Sequence, residues 1–379
     1  MKPEDFKLSP EEHATQFERI RRHAFLGLSP ETQPRATFTG GQPGSGKSMI
    51  AAQAMRELGH NAVRIDADEL RPYHKDYLRL QQEGVKNAAD LVHADAAQWA
   101  IALTHSAMEQ KFNLVIDGTM RDPTAIVNMA TRLRQAGYVV EGRVMAVNEF
   151  VSTMHVHKRY ESQLIAQGVG RFATREQHDR AFAGLPSSLE LLERHKAFDR
   201  IAIYNRDGAA IYRNELAGKR WLDIPAARQA LDIERTREMT AEEKQELAKG
   251  WGDVLQQMKR RGAQQDEIAS ATKLATNEIR RSVAHGRGRG YEKLFASAEQ
   301  MRRQPALIGK FASLVAVQQG EKRMQLDDVQ KAIAQMNTRL VAQKQAAMLE
   351  QKTQKTVTAE NKAPRGIAPP KRKNKDVER

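Results

Sequence analysis

The chain has no cysteine among its 379 residues. Disulfides, thiolate metal sites and cysteine nucleophiles are therefore excluded. A cysteine-free chain fits a reducing compartment, and a cytoplasmic location is expected. No uninterrupted run of about 18 apolar residues occurs, so no transmembrane helix is expected. The first residues, MKPEDFKLSPEEH, carry early acidic residues and no apolar run, which reads against a secretory signal. No internal repeat is seen.

What is present is an uneven charge. The net charge is +14, and residues 241–379 hold 28 Lys+Arg against 16 Asp+Glu, a net of +12. Residues 1–240 are left with a net of only +2. Any argument for nucleic acid or another acidic partner must therefore rest on the C-terminal part.

The pattern along the chain is equally uneven. Ser9, Pro10 and Glu12 form a helix start signal with a capping box, and the periodicity ends that helix near Leu26. Five short apolar runs then read as strands: 36–40, 62–66, 113–117, 139–147 and 200–205. Helical patterns separate them, and this alternation predicts an α/β fold with a mostly parallel sheet and helices on both faces. NRDGAAIYRN, at 205–214, reads as a turn into a small terminal strand. Beyond about residue 235 the strands stop and helical patterns rich in Ala, Gln, Glu, Lys and Arg follow, an all-α basic extension. The Pro- and Lys-rich end reads as disordered.

The chemistry starts at Gly41-Gln42-Pro43-Gly44-Ser45-Gly46-Lys47-Ser48, a complete G-x-x-x-x-G-K-[ST] match between a strand and a helix. Such a loop points successive N–H groups at phosphate oxygens, and the following helix adds its positive end. Lys47 is expected to reach the β- and γ-phosphates of ATP, and Ser48 to offer its hydroxyl to Mg²⁺. A kinase also needs a base for the acceptor hydroxyl, placed at a neighbouring strand end. VRIDADEL supplies Asp66 and Asp68, and one is expected to cap the next helix while the other is catalytic. NLVIDGTMRDP supplies Asp117, in a Walker-B-like place near Mg²⁺, with Thr119 and Arg121 after it. Arg159 lies in a helical pattern and Arg171 in a glycine-flanked loop suited to a lid over the γ-phosphate. By spacing alone, surface arginines are the simpler reading of both.

These strings together resemble the zeta toxins, the kinase components of epsilon/zeta and PezAT-type toxin–antitoxin pairs. The matching strings are GGQPGSGKS, IDADELR, LVIDGTMRD, VMAV followed by RYES, GRFATREQHD, LPSSLELLERH and IAIYNRDGAAIYRN, in the family's order over about the first 215 residues. The resemblance implies a zeta-toxin-like P-loop kinase domain over 31–235. The patterns outside it read as an N-terminal helix over 1–30, a helical basic extension over 236–355 and a disordered basic tail over 356–379, and the resemblance does not explain the last two. It implies transfer of a phosphoryl group from ATP, with Mg²⁺, to the 3′-hydroxyl of the amino sugar of UDP-N-acetylglucosamine, which blocks cell-wall precursor synthesis. Carried over by position, Lys47 and Ser48 serve phosphate and metal, Asp68 is the general base, and Arg159 and Arg171 bind the ATP phosphates. Asp66, Asp117, Thr119 and Arg121 take substrate places. It also implies a small helical antitoxin as partner. One departure stands out: the family's Glu-Gly-Thr is Asp117-Gly118-Thr119 here, which puts the sugar specificity in question more than the kinase chemistry.

The alternatives are a kinase on another nucleotide sugar, a dinucleotide or a polynucleotide end, or a nucleic-acid-binding protein with a regulatory P-loop ATPase domain. For the latter, QQDEIASATKLATNEIRRSV has the rhythm of a helix-turn-helix as well as of a plain helical bundle. HGRGRG at 285–290 reads as a linker or a phosphate-touching loop. The helix pattern at 326–352 suits self-association or partner binding, and the Lys-rich tail reads as a solvated tail that aids solubility, an electrostatic tail for nucleic acid or a C-terminal secretion signal.

Overall fold

Short β-branched runs bounded by turn residues build the centre of the molecule. The structure, a computed structural model, describes residues 1–284 apart from residue 86. Seven strands form one sheet in the order β2-β3-β1-β4-β5-β6-β7. They are β1 (Arg35–Gly40), β2 (Ala62–Ile65), β3 (Asn113–Asp117), β4 (Val139–Met145), β5 (Arg200–Tyr204), β6 (Ala210–Ala217) and β7 (Arg220–Trp221). The first five pair in parallel, and β6 and β7 add antiparallel pairings. The expected strands are thus found, with Asp66, Ala146, Val147 and Asn205 falling just outside them because each strand end turns toward the next element. The turn before β6 is closed by Asn205, whose Oδ1 accepts from the amides of Asp207 at 3.1 Å and Ala209 at 2.9 Å.

Helices cover both faces, as the alternation predicts. In chain order they are α1 (Pro10–Phe25), α2 (Lys47–Glu57), α3 (Ala67–Leu70), α4 (Tyr77–Gln82), α5 (Ala88–Leu91), α6 (His93–Glu109), α7 (Pro123–Gln135), α8 (Glu149–Gln167), α9 (Arg175–Arg194), α10 (Ala227–Thr236), α11 (Ala241–Arg260) and α12 (Gln265–Ala284). The capping box of α1 forms as expected: Ser9 Oγ accepts from the Glu12 amide at 3.2 Å, and Glu12 accepts from the Ser9 amide at 3.0 Å. One face of the sheet sends Phe38, Leu114, Val140, Val144, Ile201 and Ile203 into a core shared with α6, α7, α9 and α10. On the other face α2 packs on Val115. Farther along, Met145, Ala202 and Tyr204 pack with α8, α11 and α12. The alternation of the two sets along each strand is the period-2 geometry of a sheet covered on both sides.

The first helices of the basic extension therefore share a core with the sheet. Trp251 and Val254 of α11 are buried in the cluster that holds Phe150 and Met154 of α8. The approach is close: a Cβ on Gly250 would lie 2.5 Å from Met154 Sδ. Residues 265–284 form one continuous helix. That excludes a helix-turn-helix there and agrees with the bundle reading. The segment has no Gly or Pro, and Lys273 continues the helix where a turn was considered. Among the described residues, no helix is long and apolar enough to cross a membrane. The readings made for 285–290, 326–352 and the Lys-rich tail lie outside the described residues.

Candidate active site

All five parallel strands end at one edge, and the sequence-predicted residues gather there. The strand order turns outward from β1, with β3 on one side and β4 on the other. That is where an open parallel sheet leaves a crevice. The loop between β1 and α2 occupies it. At its centre Gly44 has φ +76°, and a Cβ there would sit 2.1 Å from the Ser152 carbonyl oxygen of α8. Only glycine fits this left-handed contact. The loop thus lies against α8 with its concave side free.

Lys47 opens α2 and donates to the Gln42 carbonyl at 3.3 Å. Burial holds its ammonium down to about 8, against the pull of Asp117, with Arg159 and Arg171 adding to the lowering. Ser48, next along, is exposed. Gln42 lies on the loop but its side chain turns away into the core, where it is fully buried. Ser45 Oγ is buried without a hydrogen-bond partner.

The two arginines arrive from α8 and from the loop after it. Arg159 projects from α8, and its Nε and Nη2 are buried with no hydrogen-bond partner. α8 ends at Gly168, which adopts a left-handed cap. In the loop beyond, the Arg171 amide donates to Gln163 Oε1 at 2.8 Å. Phe172 stacks edge-on against Tyr160, ring centres 5.2 Å apart. The loop is therefore held at both sides of Arg171. Burial lowers the pKa of both guanidinium groups, and the charge of Asp66 pushes back.

Opposite these cations stand the carboxylates. Asp66 Oδ1 accepts from the Asp68 amide at 2.9 Å and so caps α3. Asp68 forms ion pairs with Arg71, at 2.5 Å, and with Arg171. Asp117 pairs in register with Thr39 across β1 and β3, and accepts from its Oγ1 at 2.8 Å. Burial pushes the Asp117 carboxyl up, and Lys47 opposes that. Arg64 lies 3.8 Å from Asp66 and 3.7 Å from Asp117, bridging two strand ends. Thr119 is half-buried and Arg121 exposed on the loop leaving β3.

The site thus brings together Lys47, Asp66, Asp68, Asp117, Arg159 and Arg171. Three further contributors were missed. Arg64 had a signal, since two residues before Asp66 on a strand puts it on the same face. Arg71 is one helical turn after Asp68, a usable i,i+3 signal. Thr39 had none, because only strand pairing sets it beside Asp117.

This geometry suits a phosphorylated ligand. The G-x-x-x-x-G-K-S loop lies between β1 and the N-terminus of α2, the place where backbone N–H groups bind phosphate, and Arg159 has buried donors without acceptors. The hydroxyl of Ser48 and the carboxylate of Asp117 are hard oxygen donors of the kind Mg²⁺ takes. Among the described residues no group of three or more His, Asp or Glu could by itself hold a metal. Such an ion would therefore rest on few protein ligands and on the nucleotide's own oxygens, as Mg²⁺ commonly does.

The Zeta toxin family model matches residues 19–217, more than half of the chain. The chain belongs to the zeta toxin family. Toxin PezT of Streptococcus pneumoniae serotype 4 is 32% identical over 213 residues, which cover 56% of this chain and 83% of that toxin. Toxin zeta of Enterococcus hirae is 32% identical over 187 residues, covering 49% of this chain and 65% of that one. A solved structure from the PezAT chromosomal toxin–antitoxin system of S. pneumoniae matches with a TM-score of 0.58 and 26% identity, over 68% of this chain and 100% of that chain. The family-model match ends at residue 217, before α10, α11 and α12.

Proposed function

We propose that the protein is an ATP-dependent small-molecule kinase that phosphorylates the 3′-hydroxyl of the amino sugar of UDP-N-acetylglucosamine. The observation that carries the kinase reading is a buried cation set beside a strand-end carboxylate at one sheet edge. Lys47 donates only to a backbone carbonyl, Arg159 Nε and Nη2 have no acceptor, and Asp68 pairs with the neighbouring Arg171. Family membership supports the sugar-nucleotide acceptor.

In this reading the P-loop amides, Lys47 and Arg159 bind the ATP phosphates. Mg²⁺, held by Ser48 and Asp117, would offset charge on the phosphate oxygens. The bond from the acceptor oxygen to the γ-phosphorus forms as the bond to the β-bridging oxygen breaks. The hydroxyl proton passes to Asp68. In the unliganded site Arg171 pairs with Asp68. Binding of ATP draws Arg171 to the γ-phosphate, and Arg71 continues to orient the carboxylate. The acceptor hydroxyl then takes the place Arg171 leaves.

The test is incubation with Mg·ATP and UDP-N-acetylglucosamine, read by mass spectrometry. The expected result is a sugar nucleotide heavier by one phosphate. No such product, from protein that binds Mg·ATP, would remove this acceptor. A second reading, a different nucleotide sugar, is favoured by one observation: Asp117 is a methylene shorter than the family's Glu and is drawn back onto Thr39. A panel of nucleotide sugars in the same assay separates the two. An antitoxin partner is also proposed, by likeness to the PezAT system. Formation of a stable complex on co-expression with the antitoxin of the PezAT system would support it, and no complex would count against it.

A further inference from the structure

We infer that Arg235 and Gln42 are positioning residues for nucleotide binding, setting the first half of the P-loop and the rest position of Lys47 from the far side of the loop. This rests on the reading of the loop as a nucleotide site and adds a second tier to it. Arg235 lies on α10, beyond the residues the family model matches.

The starting observation is a buried charge that folding does not call for. Arg235 is 3% exposed, and burial holds its guanidinium down to about 9. Neither of its side-chain hydrogen bonds goes to a carboxylate, and the charge of Asp232 only partly offsets the burial. Nη1 donates to the Phe182 carbonyl at 2.9 Å, Nη2 donates to Gln42 Oε1 at 2.6 Å, and the group lies 4.2 Å above the Phe182 ring. Nε has no hydrogen-bond partner. A buried guanidinium held this way is weak evidence for stability, since apolar replacements of buried ionic groups are often neutral. What it does hold is Gln42.

Gln42 has no freedom left. Its oxygen accepts from Arg235. Its nitrogen donates to the Val147 carbonyl at 2.8 Å and to Ser152 Oγ at 3.1 Å. Ser152 Oγ in turn lies 2.8 Å from His178 Nε2. Gln42 and Ser152 are 0% exposed and His178 is 2% exposed. The amide orientation follows from chemistry: only its oxygen can face a guanidinium, and only its nitrogen can face a carbonyl. The main chain of this locked residue supplies the carbonyl on which Lys47 rests. So α10, α9, α8 and the loop are joined through one side chain, and that side chain sets where the loop's amides and Lys47 stand. Beyond His178 the polar chain runs on through Asp179 and Arg175 to Glu278 of α12. Solvent reaches it there and screens it, so the buried part carries the effect.

The test uses Arg235→Met, Gln42→Met and the double variant of the full chain. Binding of Mg·ATP is measured by calorimetry, thermal unfolding in parallel, and kcat and KM for ATP separately. Each single variant leaves a buried partner unpaired and lowers the unfolding temperature. The double variant removes the mismatch between positions 42 and 235, while the Phe182 and Val147 carbonyls each lose a donor, so its stability falls by less than the sum of the two single losses. Expected is a double variant that melts no lower than the less stable single variant yet binds Mg·ATP about tenfold more weakly than wild type, the loss of a charge-assisted hydrogen bond's worth of positioning. Wild-type affinity in the folded double variant would mean a purely structural role and overturn the inference. Arg235→Lys keeps the charge but not the fork, so it reaches one acceptor and not both. It is expected to raise KM for ATP about threefold with kcat unchanged, and an unchanged KM would count against the inference even if the double variant does not fold. Wild-type protein that fails to bind Mg·ATP would instead remove the nucleotide reading on which the inference rests.

Discussion

At the end of β1 the candidate donor site is made of backbone, and its supports are buried. Gly44 touches the main chain of α8, and Gln42 is sealed among Val147, Ser152 and Arg235. At the ends of β3 and β2, one and two strand spacings away, the candidate acceptor site is made of side chains. Asp66, Asp68 and Asp117 are each held by arginines or a hydroxyl that could exchange partners. The contrast follows from the work proposed for each side. A phosphate chain is bound by repeated, directional N–H groups, which only a rigid backbone can present. An acceptor hydroxyl must enter, lose a proton and leave, which calls for ionic contacts that can be swapped. Rigidity on one side and exchange on the other is what a transfer site between a common donor and a selective acceptor needs.

Four changes would break or sharpen that contrast. The largest effect is expected for Asp68→Asn on the acceptor side. It should lower turnover by about 10²–10⁴-fold, the range for loss of a general base. Mg·ATP binding should remain, as measured by calorimetry. Comparable turnover by this variant would remove Asp68 as the base.

On the donor side Gly44→Ala should act through the backbone. A Cβ 2.1 Å from the Ser152 carbonyl at a positive φ cannot be accommodated without moving the loop or α8. A loss of about 3 kcal/mol in unfolding free energy is expected. Nucleotide binding should be lost with it. A variant that melts and binds ATP like wild type would show that the loop is not clamped on α8.

A smaller effect should come from pH. With the Lys47 ammonium held down to about 8, this side chain is charged below that pH and neutral above it when no nucleotide is bound. Bound phosphate favours the charged form and so raises this pKa. ATP affinity is therefore expected to be level at lower pH and to fall as pH rises through 8, by up to about tenfold per unit. Binding near that pH should take up a proton, seen by calorimetry in buffers of different ionisation enthalpy. Affinity that is flat across this range would place the lysine's pKa elsewhere.

The smallest effect is expected for Asp117→Glu. Restoring the longer carboxylate should change KM for the acceptor by about threefold to tenfold, in the range a single methylene commands. KM for ATP should move less, because Ser48 and the nucleotide's own oxygens share the ion that Asp117 would hold. A shift confined to ATP would leave Asp117 on the metal side alone and remove its part in acceptor binding.

Much of the fold was legible. Five β-branched runs separated by helical periods predict a parallel sheet covered on both faces, because strands buried twice read as continuous apolar runs. The cap of α1 and the capping of α3 by an Asp of this pair were legible from local rules, since capping involves residues two or three apart. The helix-turn-helix reading of 264–283 failed on the same local physics: without a glycine or proline, good helix formers run on. The partners of the site residues were not legible. Thr39 meets Asp117 across 78 positions, and Arg235 meets Gln42 across 193.

By itself, then, the sequence determined the phosphate loop, the strand-end carboxylates and the α/β alternation, because each depends on residues within a few positions of one another. Only the tertiary structure decided what each group faces. It turned Gln42 inward, left the Arg159 donors without acceptors and set Arg171 on Asp68. Those outcomes depend on which strands are neighbours and how helices from distant parts of the chain pack over them, and neither spacing nor composition encodes that.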